Sequence, residues 1–376
     1  MLDPAHSTRP QAYPGKEASE TTRFAWMDRV WRWFESVSEL KFGALLALLV
    51  VLRSGVHIEL DLEWLPQCVA AFPHLSGNFR CHNAIISVLP WLLHVDTAVE
   101  WSRLHAALLG GSLFGTLVLA YRFAPGIRFK QLALWLGLSA MPVALLQTRV
   151  YYDPYAIFGG SLLALAHGPF AIFAGGLLLG LSHPEMSLVA ALSVGSVALA
   201  LDLVRTRRIK LALVSCVLGA ALTKLHGWLD PPAGLDRAGV LGRSVRSALF
   251  HATQSGTMGL YACHGLAWLL IVAYLLHARA SARQRLWLVT GLVILPGIVT
   301  LITLDGTRVF VGTVWPAFVI FVSTLLARSQ RGDSPVPIRT LTCVALVMAL
   351  IAPSYISGGG HVSRPRFGSL AKHSLE

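Results

Sequence analysis

Apolar stretches long enough to cross a membrane recur along this chain from about residue 40 to about residue 356. A transmembrane helix needs roughly 20 mainly apolar residues, whereas a cleaved signal peptide has a single, shorter apolar stretch near its N-terminus. Charged residues make up 13% of the 376 residues and the mean hydropathy is +0.61, so the chain lacks the polar surface that a soluble protein of this size needs. The sequence therefore predicts an all-α, polytopic integral membrane protein.

About eleven apolar windows qualify as candidate transmembrane helices. Their approximate bounds are 41–56, 104–122, 130–147, 154–167, 169–182, 185–204, 209–228, 261–278, 286–304, 309–327 and 339–356. The segment 154–182 is short for two helices. We nevertheless expect two, with a tight turn at the "HGP" triplet 167–169, because a single crossing would move the basic run "RTRRIK" to the other side of the membrane.

The chain divides into four parts by composition. Residues 1–21 are polar and predict a disordered cytoplasmic tail, and residues 22–40 place aromatic and apolar side chains at near-helical spacing among charges, which predicts an interfacial amphipathic helix. Residues 41–356 form the predicted transmembrane domain, with long outer loops at 57–103 and 229–260. Residues 357–376 are a polar C-terminal tail.

Basic residues fall in alternate gaps between the apolar windows, which is how positive charge marks cytoplasmic loops. This pattern predicts a cytoplasmic N-terminus, a C-terminus outside and location in the plasma membrane. It also accounts for much of the net charge of +12 without nucleic-acid binding. The four clusters are Arg122, Arg128 and Lys130; Arg205, Arg207, Arg208 and Lys210; Arg279, Arg283 and Arg285; and Arg328, Arg331 and Arg339.

Most acidic residues in the loops between the apolar windows fall on the opposite, non-cytoplasmic face in this topology, which indicates a functional face. They are Glu59, Asp61 and Glu63 in the first outer loop, Asp153, Glu185 beside His183, Asp230 and Asp236, and Asp305 beside Arg308.

Each of these residues also has a structural interpretation. The acids of the first loop could simply be solvated, and Asp153 before a proline could cap a helix. His183 and Glu185 in "SHPE" could pair with each other or serve a site, because such groups are costly at membrane depth unless paired or hydrated. Arg308 could pair with Asp305 three residues earlier, or bind an anionic substrate group, which we favour.

Two cysteines, Cys68 and Cys81, share the first outer loop. We expect them to form a disulfide if that loop faces an oxidising compartment, the alternative being two free thiols.

Common catalytic motifs are missing from the sequence. "SHPE" lacks the second histidine of a helical zinc site, and there is neither a GxSxG elbow nor a phosphate-binding Gly-rich loop. The cofactor is therefore left open, with a divalent cation as one option.

Three segments resemble the GT-C superfamily of polytopic membrane glycosyltransferases. "RVYYDPYAIFGGSLLALA" is similar to a tyrosine-rich turn with an aspartate that opens a short helix, and "FAGGLLLGLSHPEMSLVAAL" to the passage of short helix, polar turn and helix that follows. "LDGTRVFVGTVWPAFV" resembles a late transmembrane segment of bacterial GT-C-like proteins. The resemblance covers roughly residues 40–330 and depends on the order and sidedness of the segments, although the first loop lacks a clear paired-acid motif and no soluble C-terminal domain follows.

This resemblance implies transfer of a sugar from a polyprenyl-phosphate donor to a glycan or lipid acceptor on the non-cytoplasmic face. It assigns the first catalytic carboxylate to Asp61, or to Glu59 in another register, and the second to Asp153. Arg308 would bind the leaving phosphate, and the remaining substrate-binding candidates are Arg149, Tyr152, His183, Glu185 and Asp305.

Two other functions stay open. A transporter or flippase would place charged residues near the middle of its helices and show repeat symmetry, whereas here the charges lie at the outer boundaries and no repeat is evident. The third alternative is a noncatalytic membrane subunit.

Overall fold

The computed structural model of the chain describes residues 25–57, 64–74, 85–147, 153–203, 206–229, 257–277, 280–301, 306–334, 336–358, 361–365 and 367–368. This part is an all-α body with a few very short strands. In chain order the helices are α1 Ala25–Ser36, α2 Glu39–Ser54, α3 Trp64–Ala71, α4 Ile85–Leu92, α5 Ala98–Phe123, α6 Phe129–Gly137, α7 Met141–Gln147, α8 Asp153–Leu165, α9 Pro169–Ser182, α10 Pro184–Ala200, α11 Thr206–Leu229, α12 Thr257–Leu276, α13 Ala282–Val289, α14 Leu295–Leu301, α15 Gly306–Gln330 and α16 Ile338–Ile351.

Every predicted apolar window contains a helix, but the helices differ in length. Five are long and apolar enough to cross a membrane: Val99–Phe123, Arg207–Leu229, Thr257–Leu276, Ala282–Thr300 and Thr307–Gln330. A sixth is counted if α6 and α7, which meet at a bend of 55°, form one span. The other five windows hold α2, α8, α9, α10 and α16, which have between 13 and 17 residues. The described residues thus fit a multi-pass membrane protein, and a count of eleven crossings stays a prediction.

The short segment 154–182 forms two helices with a turn at "HGP", as expected. Helix α8 ends at Leu165, and α9 begins at Pro169, a residue type that the first turn of a helix tolerates. The two pack closely through glycine: a Cβ on Gly159 would lie 2.8 Å from the Gly175 carbonyl oxygen, and one on Gly175 would lie 2.6 Å from the Gly159 oxygen. Small residues permit this approach, so the pair folds back as a compact hairpin.

Helix α15 is the central helix of the body. Of its most apolar stretch, 94% is buried by other helices, compared with 22% for α5. It packs against α8 and runs parallel to it, because Asp153 contacts Arg308, Gly160 faces Pro316 and Ser161 bonds Trp315.

Three irregular helical segments meet inside the body, and the hydropathy pattern predicted none of them. They are the break between α6 and α7, a 3₁₀ turn at Gly265–Ala267 within α12, and a π-helical turn at Thr290–Ile294 that joins α13 to α14. The Leu266 amide donates to the Leu138 carbonyl across 3.2 Å, and His264 Nε2 lies 2.9 Å from the Leu292 carbonyl oxygen. Backbone groups freed from the helices are therefore satisfied by neighbouring segments.

Residues beyond the last helix form three short strands rather than only a polar tail, and one further strand follows α2. The strands are β1 Val56–His57, after α2, and β2 Ile356–Gly358, β3 His361–Ser363 and β4 Phe367–Gly368, after α16. Strand β1 pairs with β4 in parallel, with Val56 opposite Phe367, and β2 pairs with β3 antiparallel. This pairing ties the end of α2 to residues near the C-terminus.

Most of the predicted cytoplasmic clusters gather at one end of the body, which we call the basic end. The Arg328 guanidinium donates to the Leu201 carbonyl (2.9 Å), Gln284 donates to Asp202 (2.7 Å) and Arg339 donates to Asp28 (2.5 Å). Arg208 donates to the Ala164 carbonyl at the end of α8. Arg128 bonds Glu35 and thereby lowers the pKa of that carboxyl. Helix α1, at the place expected for the amphipathic helix, lies at this end.

Candidate functional site

Asp153 and Arg308 form an ion pair at the end of the body opposite the basic end, which we call the Asp153 end. Arg308 Nε donates to both carboxylate oxygens, at 3.1 and 3.2 Å. The side chains are 9% (Arg308) and 13% (Asp153) exposed, so the pair is nearly buried. Charges this poorly hydrated are strongly destabilising unless they are paired, so this contact stabilises both side chains.

Parallel packing of α8 and α15 creates this pair. Asp153 is the first residue of α8, and Arg308 lies in the first turn of α15. The interpretation of Asp153 as a helix cap is not what the described residues show, because the hydrogen bonds of its carboxylate there go to Arg308 on another helix. The two residues lie 155 positions apart in the chain, so the pair depends on tertiary packing.

A buried hydrogen-bond network fixes the two helices below the pair. Ser161 Oγ lies 2.7 Å from Thr116 Oγ1 of α5 and accepts from Trp315 Nε1 at 3.1 Å. All three side chains are at most 2% exposed. Because a satisfied buried network specifies one arrangement of its helices, it holds Asp153 and Arg308 in register.

The hydroxyl of Tyr155, two residues after Asp153, is also buried. It has no hydrogen-bond partner within the part of the chain that the structure describes. Buried polar groups are nearly always hydrogen-bonded, so this exception calls for an explanation.

Glu185 belongs to a second polar cluster on the first turn of α10. Lys224, near the end of α11, donates to Glu185 Oε1. His183 Nδ1 lies 3.5 Å from Glu185 Oε2, but the same nitrogen accepts from the Met186 amide at 3.2 Å and caps α10. A nitrogen that accepts this bond carries no proton for the carboxylate, so we assign Lys224 as the partner of Glu185.

Met186 connects the two clusters. Its side chain packs with Val309, next to Arg308, and with Val299 of α14. A Cβ on Gly312 would lie 2.5 Å from Met186 Cε, so α10 and α15 touch one turn below the ion pair. The structure therefore brings Asp153 and Arg308 into direct contact and places His183 and Glu185 at the same end.

The remaining predicted site residues lie outside the described part of the chain: Glu59, Asp61, Arg149, Tyr152 and Asp305. Their roles stay predictions. Cys68 is disulfide-bonded, and Cys216, Cys263 and Cys343 are free. Since Cys81 also lies outside the described residues, its pairing with Cys68 stays a prediction.

Sequence reasoning missed Lys224 at this end, Tyr155 in the first turn of α8, and Ser161 and Trp315 in the network below the pair. Lys224 could have been noticed, because a lysine in the last turns of an apolar window needs a partner or a path to water. The others are ordinary residues within apolar helices, and only the packing gives them a role.

Among the described residues, no three His, Cys, Asp or Glu side chains form a cluster that could hold a metal ion. Comparison with known protein families, with curated proteins and with solved structures finds no match to this chain. The arrangement of side chains at the Asp153 end is therefore the basis for a functional assignment.

Proposed function

We propose that this protein is a GT-C-like membrane glycosyltransferase that moves a sugar from a polyprenyl-phosphate donor to a glycan or lipid acceptor on the non-cytoplasmic face. The observation that carries the proposal is the nearly buried pair of Asp153 and Arg308 at the Asp153 end. A carboxylate beside an arginine supplies the two groups that such a transfer needs: a base for the acceptor and a cation for the leaving phosphate.

In this mechanism the donor phosphate takes the place of Asp153 as partner of Arg308. The guanidinium binds phosphate as readily as carboxylate, so donor binding would release the carboxylate beside the reacting carbon. An acceptor hydroxyl attacks the anomeric carbon, the bond from that carbon to the phosphate oxygen breaks, and a carboxylate takes the hydroxyl proton. By the resemblance, Asp61 or Glu59 acts as this base and Asp153 as the second acid.

The proposal includes the topology predicted from sequence: about eleven crossings, a cytoplasmic N-terminus and the active face outside. Its support is the separation of polar contacts into two ends of the body. The basic end gathers arginines and lysines from most of the clusters expected in the cytoplasm, while Asp153 and Glu185 lie at the opposite end.

Transfer of a labelled sugar from a polyprenyl-phosphate donor, measured in membranes that hold each variant at equal abundance, tests the proposal. We expect Asp153→Asn to lower the rate by about 10²–10⁴-fold, the usual effect of losing an acid–base group. Arg308→Lys should also be impaired, because lysine keeps the charge but lacks the bidentate fork. The matched control is Asp202→Asn at the basic end, which should transfer normally because asparagine tolerates the positive φ of 55° at that position.

Exchanging the two residues separates catalysis from stability. Breaking a buried pair from one side costs roughly 3–5 kcal/mol, so a single variant can lose activity by unfolding. The double variant Asp153→Arg with Arg308→Asp restores an ion pair, and we expect it to recover thermal stability but not transfer. Recovered transfer, or normal transfer by Asp153→Asn, would contradict the catalytic assignment.

One observation favours a transporter as the second candidate. The break between α6 and α7 meets the 3₁₀ turn of α12 inside the body, and interrupted helices of this kind form substrate sites in many transporters. Uptake or flipping of a lipid-linked sugar in reconstituted vesicles, without chemical transfer and unaffected by Asp153→Asn, would favour this candidate.

A further inference from the structure

An apolar groove runs along the outside of the body beside α1, α2 and α16. Its volume is about 470 Å³. Trp33 of α1, Leu45 and Leu48 of α2 and Leu350 of α16 contribute to its wall and are between 45% and 76% exposed. The α2 part of the wall extends from Phe42 to Leu52, about 15 Å at the helical rise, which matches the hydrocarbon thickness of one membrane leaflet.

Three cations, Arg29, Arg32 and Lys41, lie close in the chain to groove residues of α1 and of the start of α2. Arg29 lies one helical turn before Trp33, and Lys41 lies one turn before Leu45, so each shares a helix face with a residue of the wall. Arg32 is adjacent to Trp33. All three are exposed. Side chains on a helix lean toward its N-terminus, so Lys41 leans toward the corner where α1 meets α2.

These three cations differ from their neighbours in lacking acidic partners. Within the residues that the structure describes, Arg128 pairs with Glu35 and Arg339 with Asp28, whereas none of the three cations forms an ion pair. The groove therefore combines an apolar wall with a net positive charge at one end, because the exposed carboxylate of Glu39 offsets at most one of the three cations. An anionic phospholipid has the complementary arrangement, with acyl chains attached to a phosphate.

We propose that the groove is a binding site for one anionic phospholipid. An acyl chain lies along α2, and the phosphate meets Arg29, Arg32 and Lys41 at the level of α1. Trp26 and Trp33, both partly exposed on α1, fit the same level, since tryptophan is enriched where headgroups meet hydrocarbon. The proposal does not depend on the transferase assignment, because the groove lies on the side of α1 and the basic end.

Native mass spectrometry of the delipidated full-length protein in neutral detergent tests the site. The probes are phosphatidylglycerol and phosphatidylcholine with identical acyl chains. We expect phosphatidylglycerol to bind at least about tenfold more tightly, and the triple variant Arg29→Gln, Arg32→Gln and Lys41→Gln to remove most of this preference, because cations near the membrane surface attract anionic lipid.

The matched control is Arg207→Gln, Lys210→Gln and Arg283→Gln, which removes three exposed cations from the basic end away from the groove. We expect it to keep the preference within about twofold. A second variant, Leu48→Trp, fills the groove without changing charge and should weaken both lipids. Equal effects of the two triple variants, no lipid preference, or unchanged binding by Leu48→Trp would each overturn the proposal. So would a dimer without lipid preference that Leu48→Trp dissociates, since that would assign the groove to a second copy of the chain.

Discussion

At the scale of single residues, two carboxylates at the Asp153 end are paired with cations of other helices. Asp153 relies on Arg308 and Glu185 relies on Lys224. These pairs differ in environment: the first is nearly buried, and the second is about half exposed on both sides. A half-exposed pair contributes at most about 1 kcal/mol, so the Asp153 pair dominates the electrostatics of this end.

Tyr155→Phe distinguishes a binding role from a packing role for the buried hydroxyl. Removing a buried hydroxyl that has no partner should leave thermal stability unchanged or raise it slightly, because the cost of burying the group disappears. If the hydroxyl bonds the substrate, the same variant should lower transfer about tenfold. Melting temperature in detergent and transfer rate in membranes are the two measurements. Unchanged values in both would show that the hydroxyl has no function, and lower stability would show a protein partner.

At the scale of helices, the backbone of α12 depends on a glycine. Gly265 has φ of +58° and a Cβ there would lie 3.1 Å from the Leu138 carbonyl oxygen, so Gly265→Ala combines an unfavourable backbone with a close contact. We expect a loss of about 1–2 kcal/mol in the free energy of unfolding.

Gly110→Ala is the matched control for Gly265→Ala. Gly110 lies inside α5 and a Cβ there meets nothing within 4 Å, so alanine should stabilise by roughly 0.5–1 kcal/mol. Unfolding in mixed detergent measures both variants. Equal changes in the same direction would contradict the assigned strain at the 3₁₀ turn.

The positions of the helices could be predicted from the sequence, whereas the interruptions within them could not. Windows such as 169–182 and 209–228 match α9 and α11 closely, because a span must be apolar throughout and the sequence records that requirement directly. The break after Gly137 was not predictable, since the small and apolar residues there leave hydropathy unchanged. Arg308 was expected to bind Asp305 or a substrate anion. Its pairing with Asp153 could not be predicted because it follows from the parallel packing of α8 and α15.

At the scale of the whole molecule, the two ends of the body lead to a test of orientation. Reporters that work only on one side of the membrane, fused after Gly332 and after Glu376, should report opposite sides. The first position lies between α15 and α16 at the basic end and should be cytoplasmic, and the second should be outside. Two cytoplasmic signals would show that α16 does not cross, and an exchange of the two signals would reverse the predicted orientation.

The enclosure of α15 has a consequence for how the protein is made. Its main neighbours α8 and α10 precede it in the chain, so a ribosome completes them before α15 emerges. Until then, the faces of α8 and α10 that receive α15 lack this packing partner, and Asp153 lacks Arg308. Assembly of the body can finish only after α15 has been made, because the helix at its centre follows these neighbours in the chain.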